Sequence, residues 1–463
     1  MSERAGARTT RTVAIGVAGI ALLLSACSAS TSSSSSSGNS SFESRTQGTA
    51  VGGDRLAVGG WDCPNGTCAW DDPSAAGAGD GAATEKSGTL DEAVATADAA
   101  PTTSAPSPTS GGVQPRTAND LPVTAGSIDD NASWPEYLRY RQTFEATGLP
   151  HEKIPVEGRQ IITVRDPASG QPVHGADIVV RDAQGATVAQ LRTYADGRAL
   201  FHPIGLPDAT AQNLPTYTAT ITRGAATATL SITPGTPAFD VTLDQPVPAA
   251  PTQLDVLFLL DATGSMGDEI ARLKANIRSV AQQIDALPSR PDVHFALTVY
   301  RDRRDAFVTR TFDFTGDEAQ FAAALSEVKA DGGGDTPEDL DAGLAAAITK
   351  ANWRGPDAVK LVFLVADAPP HIDYSDATPY AKSLATAASA GIKILPIGAS
   401  GLDADGAYIL RQLAQFTLGR FVFLTYGADG ASPGTSTPHV SPDRYSVLPL
   451  DQLIVQLVTD ELA

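Results

Sequence analysis

The sequence is poor in positive charge. Its 33 Lys and Arg residues stand against 53 Asp and Glu residues, which gives a formal net charge of −20 at pH 7 and a pI near 4.6. A surface that binds a nucleic-acid backbone needs a concentration of cationic side chains. The composition therefore argues against a nucleic acid as partner, and it is typical of an acidic, soluble protein that works outside the cytoplasm.

No apolar run in the sequence reaches the roughly 20 residues that a membrane-spanning helix needs. The N-terminal run, 13–24, follows three arginines, which is the layout of a secretory signal. It leads into Leu24-Ser25-Ala26-Cys27, which resembles the bacterial lipobox, in which the cysteine is lipidated and becomes the mature N-terminus. We predict a signal peptide over 1–26 and a lipid anchor on Cys27, in the cell envelope and facing the periplasm or the exterior. The alternative is an ordinary signal peptide with an unmodified cysteine.

Cysteine is scarce as well, with 3 residues in the whole chain. If Cys27 carries lipid, Cys63 and Cys68 are left, and an even number of cysteines in an exported chain predicts a disulfide. The sequence Pro64-Asn65-Gly66 between them has the turn chemistry that such a small loop needs. A metal site on the two thiols is the alternative, although no further cysteine or nearby histidine stands there to complete it.

A chain of 463 residues exceeds what one hydrophobic core usually organises, which predicts two or more folded units. Residues 27–150 are rich in Ser, Ala, Gly, Thr and Pro and have almost no periodic apolar pattern, so we predict a disordered tether. Such a tether would hold the folded part of a lipid-anchored protein away from the bilayer. The folded units are expected over 157–245 and 252–463.

Between 157 and 245 the sequence changes to strand-length runs separated by turn signals. The first of these runs is 161–164 and the last is 239–243, and their spacing predicts a small all-β sandwich. The turn-containing segments 170–180 and 193–199 resemble the carboxypeptidase regulatory-like family. The resemblance implies a seven-stranded scaffold or spacer module without catalytic residues.

From residue 254 onward, apolar strand-length runs alternate with helix-like stretches, which predicts a Rossmann-like α/β domain with a mostly parallel, six-stranded sheet flanked by helices. The predicted strands are 254–260, 293–300, 307–314, 360–366, 392–398 and 421–425. The third alternates apolar and polar residues, as an antiparallel edge strand does. Helices are predicted after the first strand, where apolar residues recur every three or four positions, and over about 448–462.

Oxygen-bearing side chains follow two of these strands. Asp261, Thr263 and Ser265 come directly after the first strand, and Asp367 comes after the fourth. Ligands of an open parallel sheet bind beyond the carboxyl ends of its strands, so we expect these residues to converge, together with Thr336 from a glycine-rich loop. Mg²⁺ takes an octahedron of oxygen ligands and is usually held by few protein groups plus water. The sequence therefore predicts a site for Mg²⁺ or Mn²⁺.

These residues resemble the metal-ion-dependent adhesion site of von Willebrand factor type A domains, whose pattern is Asp-x-Ser-x-Ser followed by a distant Thr and a distant Asp. The resemblance covers 254–462. It implies that Ser265, Thr336 and the hydroxyl at Thr263 contact the ion, while Asp261 and Asp367 bind it mainly through water. Thr263 stands where the pattern has its first serine, and it keeps the hydroxyl. Neutral hydroxyl ligands leave the ion positive, so the expected partner is a protein that offers an Asp or Glu carboxylate.

Several of these residues also have simpler interpretations. Thr336 could be the N-cap of a helix in which Pro337 is the first residue, because both residue types favour those positions. Arg301 and Asp302 could belong to a charged hairpin turn, and His371 could be a polar loop residue. Under these interpretations none of them contributes to a functional site.

Two other functions remain open. An envelope scaffold would use the same fold without binding a metal. A hydrolase would use Ser265, Asp367 and His371, which occur in the chain order of α/β-hydrolases, but the glycine two residues before the serine is missing. We predict a lipid-anchored binding protein without enzymatic activity, which captures a protein partner through Mg²⁺ or Mn²⁺.

Overall fold

The structure is a computed structural model that describes residues 123–463, apart from 205, 207–208, 210–212, 249–251, 335, 400 and 427–444. The predicted signal peptide of 1–26, the lipid anchor on Cys27 and the Cys63–Cys68 disulfide lie outside the described residues. Within the part that the structure describes, no helix is both long enough and apolar enough to cross a membrane.

The described residues contain fifteen strands and seven α-helices. The strands are β1 (Val123–Ile128), β2 (Gln160–Arg165), β3 (Asp177–Arg181), β4 (Thr187–Arg192), β5 (Arg198–Phe201), β6 (Tyr217–Arg223), β7 (Ala226–Ile232), β8 (Ala238–Thr242), β9 (Gln253–Asp261), β10 (Asp292–Tyr300), β11 (Thr309–Thr315), β12 (Ala358–Ala366), β13 (Ile392–Gly398), β14 (Phe421–Tyr426) and β15 (Leu448–Pro449). The helices are α1 (Trp134–Glu145), α2 (Gly267–Asp285), α3 (Glu318–Glu327), α4 (Leu340–Thr349), α5 (Tyr380–Ala390), α6 (Ala404–Phe416) and α7 (Leu450–Leu462).

Eight strands form one sheet in the order β11-β10-β9-β12-β13-β14-β1-β15. The five strands from β10 to β14 in this order are parallel, whereas β11, β1 and β15 are antiparallel to their neighbours. The mostly parallel sheet flanked by helices confirms the predicted α/β class, and β11 is the antiparallel edge strand. The predicted number of six strands is wrong, because β1 and the two-residue β15 extend the sheet beyond β14.

The predicted disordered tether of 27–150 extends too far, because β1 and α1 lie within it. β1 pairs along its whole length with β14, and α1 buries Tyr137 and Phe144. Between them, Asp130 forms a buried ion pair with Arg411 of α6, with 2.5 Å between Oδ1 and Nη2. Arg411 lies 281 residues further along the chain. Distant partners stabilise this segment, so its local composition does not reveal it.

Helices cover both faces of the large sheet, which is why its central strands are apolar at nearly every position. On one face, α2, α3 and α7 pack against Phe258 and Leu260 of β9. On the other face, α1, α4, α5 and α6 pack against Leu257 and Leu259. The apolar stripe predicted for the first helix is buried in α2; its residues are Ile270, Leu273, Ile277, Val280 and Ile284.

The seven strands from β2 to β8 form two further sheets, β5-β2-β8 and β4-β3-β6-β7. Buried side chains from both sheets, among them Ile162, Ile178 and Ile221, share one hydrophobic core. The four-residue β5 was not among the predicted strands, because so short a run carries no clear alternation. We refer to residues 157–245 as the small β domain; its resemblance to the carboxypeptidase regulatory-like family stays a prediction.

The small β domain packs against the large sheet domain. Ala388 of α5 lies in the core of the small β domain, and the ring of His202 stacks on Phe416 of α6 with 4.4 Å between centroids. At another point of the interface, Arg223 forms an ion pair with Asp357 at 2.6 Å. The interface therefore combines apolar packing with a charged contact.

Candidate metal centre

The loop between β9 and α2 lies at the carboxyl edge of the parallel strands and carries three of the predicted ligands. Asp261 is the last residue of β9, and a short turn, Gly264–Met266, leads into α2. Asp261 and Thr263 are fully buried, whereas Ser265 is exposed. Asp367 follows the end of β12, the strand that pairs with β9 on the side away from β10. The loop is therefore buried at its start and open to solvent at Ser265.

Four of the five predicted ligands lie close together. The Thr263 hydroxyl donates to Oδ1 of Asp261 at 2.6 Å, and the Thr263 amide donates to the same oxygen at 2.9 Å. The hydroxyl oxygens of Thr263 and Ser265 are 3.3 Å apart, and Ser265 is near enough to the Asp367 carboxylate to lower its pKa against the larger, raising effect of burial. Because the Asp261 carboxylate takes the Thr263 hydroxyl proton, the Thr263 oxygen keeps lone pairs for another partner.

Thr336, the fifth predicted ligand, is not joined to the other four. It is exposed, and in the described part of the chain no hydrogen bond connects it to them. The helix predicted to begin at Pro337 is also wrong, because α4 begins at Leu340. Its N-cap is Asp339, whose Oδ1 accepts a hydrogen bond from the amide of Ala342 at 3.0 Å. Thr336 is therefore neither a helix cap nor a member of the hydrogen-bonded group.

Glu338, which the sequence did not single out, belongs to the site. Its amide donates to the Pro369 carbonyl at 3.1 Å, and its own carbonyl accepts from the His371 amide at 3.1 Å. Its side chain is buried, and Oε2 has no hydrogen-bond partner within the described residues. The available sequence signal was that Glu338 stands two residues after Thr336. We interpreted this segment as the start of a helix.

Tyr300, at the end of β10, is the second residue that the sequence did not single out. Its hydroxyl donates to Oδ2 of Asp261 at 3.1 Å, and its ring is fully buried. Asp261 therefore receives hydrogen bonds on both carboxylate oxygens. An aromatic residue at the end of an apolar strand looks like an ordinary core residue, so no sequence signal marks this role.

Acidic groups crowd together at the site, and each of them becomes harder to ionise. Burial and the nearby Asp367 raise the pKa of Asp261 to about 7, against the lowering effect of its hydrogen bonds. Burial and four neighbouring carboxylates raise the pKa of Glu338 to about 8. Burial also raises the pKa of Asp367, whose Oδ1 has no hydrogen-bond partner among the described residues. Nor does any described Lys or Arg form an ion pair with one of these three carboxylates.

The glycine-rich loop reaches the site because it lacks side chains. Gly332 has a φ of +78°, and its carbonyl accepts a hydrogen bond from the Gly264 amide at 3.0 Å. A Cβ atom on Gly332 would lie 2.2 Å from Oδ1 of Asp305. The Asp305 carboxylate in turn accepts from the Gly333 amide at 3.0 Å. A larger residue at 332 would be strained at this φ and would displace the Asp305 carboxylate.

Residues 255–397 match a family model described as von Willebrand factor A domain. The match runs from β9 to β13 and contains all five predicted ligands. The chain contains a von Willebrand factor A domain. Sequence and fold therefore agree on the identity of the large sheet domain.

Three curated proteins are similar to part of this chain. An alpha-protein kinase vwkA from Dictyostelium discoideum is 35% identical over 120 residues, which are 26% of this chain and 19% of the relative. A putative ariadne-like RING finger protein R811 from Acanthamoeba polyphaga mimivirus is 32% identical over 26% of this chain and 11% of its own length. The human von Willebrand factor A domain-containing protein 7 is 40% identical over 18% of this chain and 8% of its own length. The chain thus spans less than a fifth of each relative.

Around the site of the von Willebrand factor A domain, Arg301 has a structural role. Its Nε donates to the Ala262 carbonyl at 2.9 Å, and its Nη2 donates to the Lys329 carbonyl at 2.7 Å. These bonds tie the metal loop to the loop after α3. The simpler interpretation of Arg301, as a residue of the turn, agrees with this position.

Asp302 and His371 also hold loops of the von Willebrand factor A domain in place. Asp302 accepts a hydrogen bond from the Tyr374 hydroxyl at 2.8 Å, and His371 stacks on the Tyr374 ring with 4.0 Å between centroids. Nδ1 of His371 is 2.8 Å from Oδ1 of Asp373. In the described part of the chain, no hydrogen bond joins His371 to Ser265.

Carboxylates alone do not form a metal cage in this domain. Among the described residues, no group of three or more His, Cys, Asp or Glu side chains is arranged to hold a metal ion. An ion at this site would therefore depend on the hydroxyls of Thr263 and Ser265. That dependence distinguishes it from a site built of direct carboxylate ligands.

Proposed function

We propose that the von Willebrand factor A domain binds Mg²⁺ or Mn²⁺ at the loop after β9 and captures a protein partner through the ion. The observation that carries the proposal is the 3.3 Å separation between the hydroxyl oxygens of Thr263 and Ser265. Two ligands at adjacent corners of an octahedron with metal–oxygen distances of about 2.1 Å lie about 3 Å apart. The two hydroxyls therefore need only a small adjustment to hold one ion.

The carboxylates around the two hydroxyls favour a cation. Asp261 accepts the Thr263 hydroxyl proton and Asp367 lies near Ser265, which suits both carboxylates to orient these ligands and to hold bound water. Oδ1 of Asp367 and Oε2 of Glu338 are buried without a hydrogen-bond partner in the described residues, and a buried carboxylate is costly unless a positive charge compensates it. A divalent ion would supply that charge. Thr336 belongs to the proposed ligand set through the family resemblance alone.

The chemistry of the ligands determines what the site would capture. An ion held by neutral hydroxyls keeps most of its positive charge and accepts an anionic oxygen as a further ligand. The proposed partner is therefore a protein that presents an Asp or Glu carboxylate. We also propose that lipid on Cys27 anchors the chain in the cell envelope, supported by the N-terminal sequence motif.

A scaffold in the cell envelope is the second candidate function. The lack of a carboxylate cage among the described residues favours it, because such a domain could act without any metal. An enzymatic role lacks a comparable observation. We propose that the chain is not an enzyme. Turnover of model esters and phosphates is measured for wild type and Ser265→Ala, and turnover that disappears in Ser265→Ala would contradict the proposal.

Affinity capture with the full chain tests the proposed function. The chain is immobilised and exposed to a cell-surface extract with Mg²⁺ or with a chelator, and Ser265→Ala is compared with wild type. Ser265 is exposed, so the substitution leaves the core intact. Ser389→Ala on α5 is the matched control, because it also removes one hydroxyl. We expect capture that the chelator and Ser265→Ala both abolish. Capture that neither affects, together with no heat of Mg²⁺ or Mn²⁺ binding in calorimetry, would instead support the scaffold.

A further inference from the structure

Two cavities open beside the metal loop and share one wall. The first, of about 380 Å³, lies between the turn before β11 and the loop after α3. The second, of about 540 Å³, lies between α2 and the same loop. Val328, Lys329 and Ala330 line both cavities. The two cavities therefore lie side by side along the loop after α3, and we refer to them together as one groove.

The groove is lined by five cationic side chains, and we call it the basic groove; they are Lys274, Arg278, Arg301, Arg310 and Lys329. Two acidic residues, Glu327 and Asp331, also line it. The lining thus carries a formal charge of about +3, five positive charges less two negative ones, in a chain with a net charge of −20. A cleft lined mainly by one sign of charge attracts ligands of the opposite sign.

Three of the five cations are available to a ligand. Arg278, Arg310 and Lys329 are exposed, and none of them forms an ion pair with a described acidic residue. By contrast, Arg354 of the same domain is bound to both Asp255 and Asp292, at 2.6 and 2.7 Å. Arg310 only lies over the ring of Phe307, at 4.6 Å from its centroid. The groove therefore offers a ligand three exposed cations that no described carboxylate neutralises.

The basic groove adjoins the metal loop on two sides. Ala262, which stands between Asp261 and Thr263, lines the first cavity. Gly267, which directly follows the turn that contains Ser265, lines the second. A peptide with one carboxylate on the ion would therefore place its neighbouring residues over the groove.

We propose that the basic groove binds acidic side chains that flank the metal-bound carboxylate, so that the partner presents an extended acidic segment and not an isolated Asp or Glu. The inference rests on the proposed function, because it takes the ion as the first contact. Complementary charge at the rim of an interface speeds association and selects partners. The net charge of −20 makes the chain as a whole repel acidic proteins. The basic groove would attract an acidic partner locally.

Two labelled peptides of equal length test the inference by fluorescence anisotropy with the full chain. One contains a central Asp flanked by Glu residues, and the other contains the same Asp flanked by Gln residues. In Mg²⁺ we expect the Glu peptide to bind about tenfold more tightly, from several exposed charge contacts. This advantage should disappear at about 1 M salt, where the screening length falls to about 3 Å.

The double variant Arg278→Ala/Lys329→Ala should reduce the tenfold advantage to about twofold and leave binding of the Gln peptide unchanged. Lys382→Ala, which removes an exposed cation from α5, is the matched control and should change neither peptide. Equal binding of the two peptides to wild type would overturn the inference, and so would a double variant that keeps the full advantage.

A chelator separates this inference from the proposed function. If only the inference is wrong, the two peptides bind equally in Mg²⁺ and both lose binding in chelator. If the proposed function is wrong, the chelator changes the affinity of neither peptide. The inference then fails as well, because it takes the ion as the first contact. If neither peptide binds in Mg²⁺, both are contradicted.

Discussion

The buried carboxylates of the site oppose folding unless a cation joins them. Asp261, Asp367 and Glu338 all have raised pKa values, with burial as the first cause. Glu338 makes the point most clearly, because its Oε2 is buried without a hydrogen-bond partner among the described residues. A site that is unfavourable without its ion is what a metal-dependent binding loop requires.

Glu338→Gln should therefore stabilise the protein in chelator and weaken its response to Mg²⁺. The folded-state pKa of Glu338 is about 8, above the usual value of 4.5, so the wild type loses stability as pH rises through this range. We expect Gln to raise the free energy of unfolding by about 2 kcal/mol at pH 8 and by much less at pH 5. Urea unfolding at both pH values, with chelator and with Mg²⁺, measures this.

Glu327→Gln is the control, because Glu327 is exposed and its substitution should change neither quantity. If Glu338→Gln destabilised the protein in chelator and responded to Mg²⁺ like wild type, Glu338 would have no part in metal binding.

The sequence located the residues of the site where chain order alone decides their position. Asp261, Thr263, Ser265 and Asp367 follow adjacent parallel strands, and strands of this kind end at a common edge. It did not locate Glu338 or Tyr300, because cross-loop pairing and burial decide those roles. Thr336 was placed by its glycine-rich loop and by the family resemblance, and its exposed position shows that a loop's conformation is not fixed by its motif.

Among the elements, the parallel strands were the easiest to predict. The hardest were β1 and α1, which we call the N-terminal arm. Buried parallel strands are continuous apolar runs, so β9, β12 and β13 are visible in the sequence. β1 is short and α1 mixes apolar with charged residues, and the two are ordered by pairing with β14 and by the ion pair of Asp130 with Arg411. No local pattern reports such distant partners.

Asp130→Ala should destabilise the fold by about 3 kcal/mol or more, because it leaves the buried guanidinium of Arg411 without its carboxylate. Both side chains of the pair are almost fully buried, with exposed fractions of 4% and 3%. Urea unfolding of the full chain measures the loss. Asp285→Ala, an exposed substitution at the end of α2, should change stability by less than about 0.5 kcal/mol. Equal effects of the two variants would contradict the structural role of the arm.

His202 makes the interface between the small β domain and α6 sensitive to acid. Burial lowers its pKa to about 3, so on acidification the unfolded chain takes up the proton first, near pH 6.5, and stability falls from there down to about pH 3. His202→Phe keeps an aromatic ring against Phe416 and cannot be protonated. Between pH 7 and pH 5, it should lose about 2 kcal/mol less stability than wild type.

Urea unfolding at the two pH values tests this, with His294→Phe as the control. The side chain of His294 is 34% exposed, so removing it should not reduce the loss on acidification. An identical pH response of His202→Phe and wild type would show that His202 is not buried as a neutral ring.

For the whole molecule, the proposal combines an anchor, a tether and a binding domain. The described residues show the von Willebrand factor A domain with the small β domain packed against it, through contacts such as His202 with Phe416. The metal loop and the basic groove lie together in the same domain. An acidic partner met at a membrane surface could thus contact the metal loop and the basic groove together.

Cys27→Ser tests the anchor. When the chain is expressed in a bacterial host with labelled palmitate, wild type should incorporate label and fractionate with membranes, because the thiol of Cys27 is the predicted attachment point. The Ser variant should lose both properties. Cys63→Ser is the control and should keep them. Labelling that persists in Cys27→Ser would refute the lipid anchor without touching the metal site.

The central claim is that Thr263 and Ser265 hold a divalent ion, and the most direct measurement is an anomalous difference map from crystals grown with Mn²⁺. The account predicts one Mn²⁺ peak at about 2.2 Å from both hydroxyl oxygens, with Asp261 and Asp367 around it. At saturating Mn²⁺, a map without a peak at this loop, or with the ion bound only elsewhere on the chain, would contradict it.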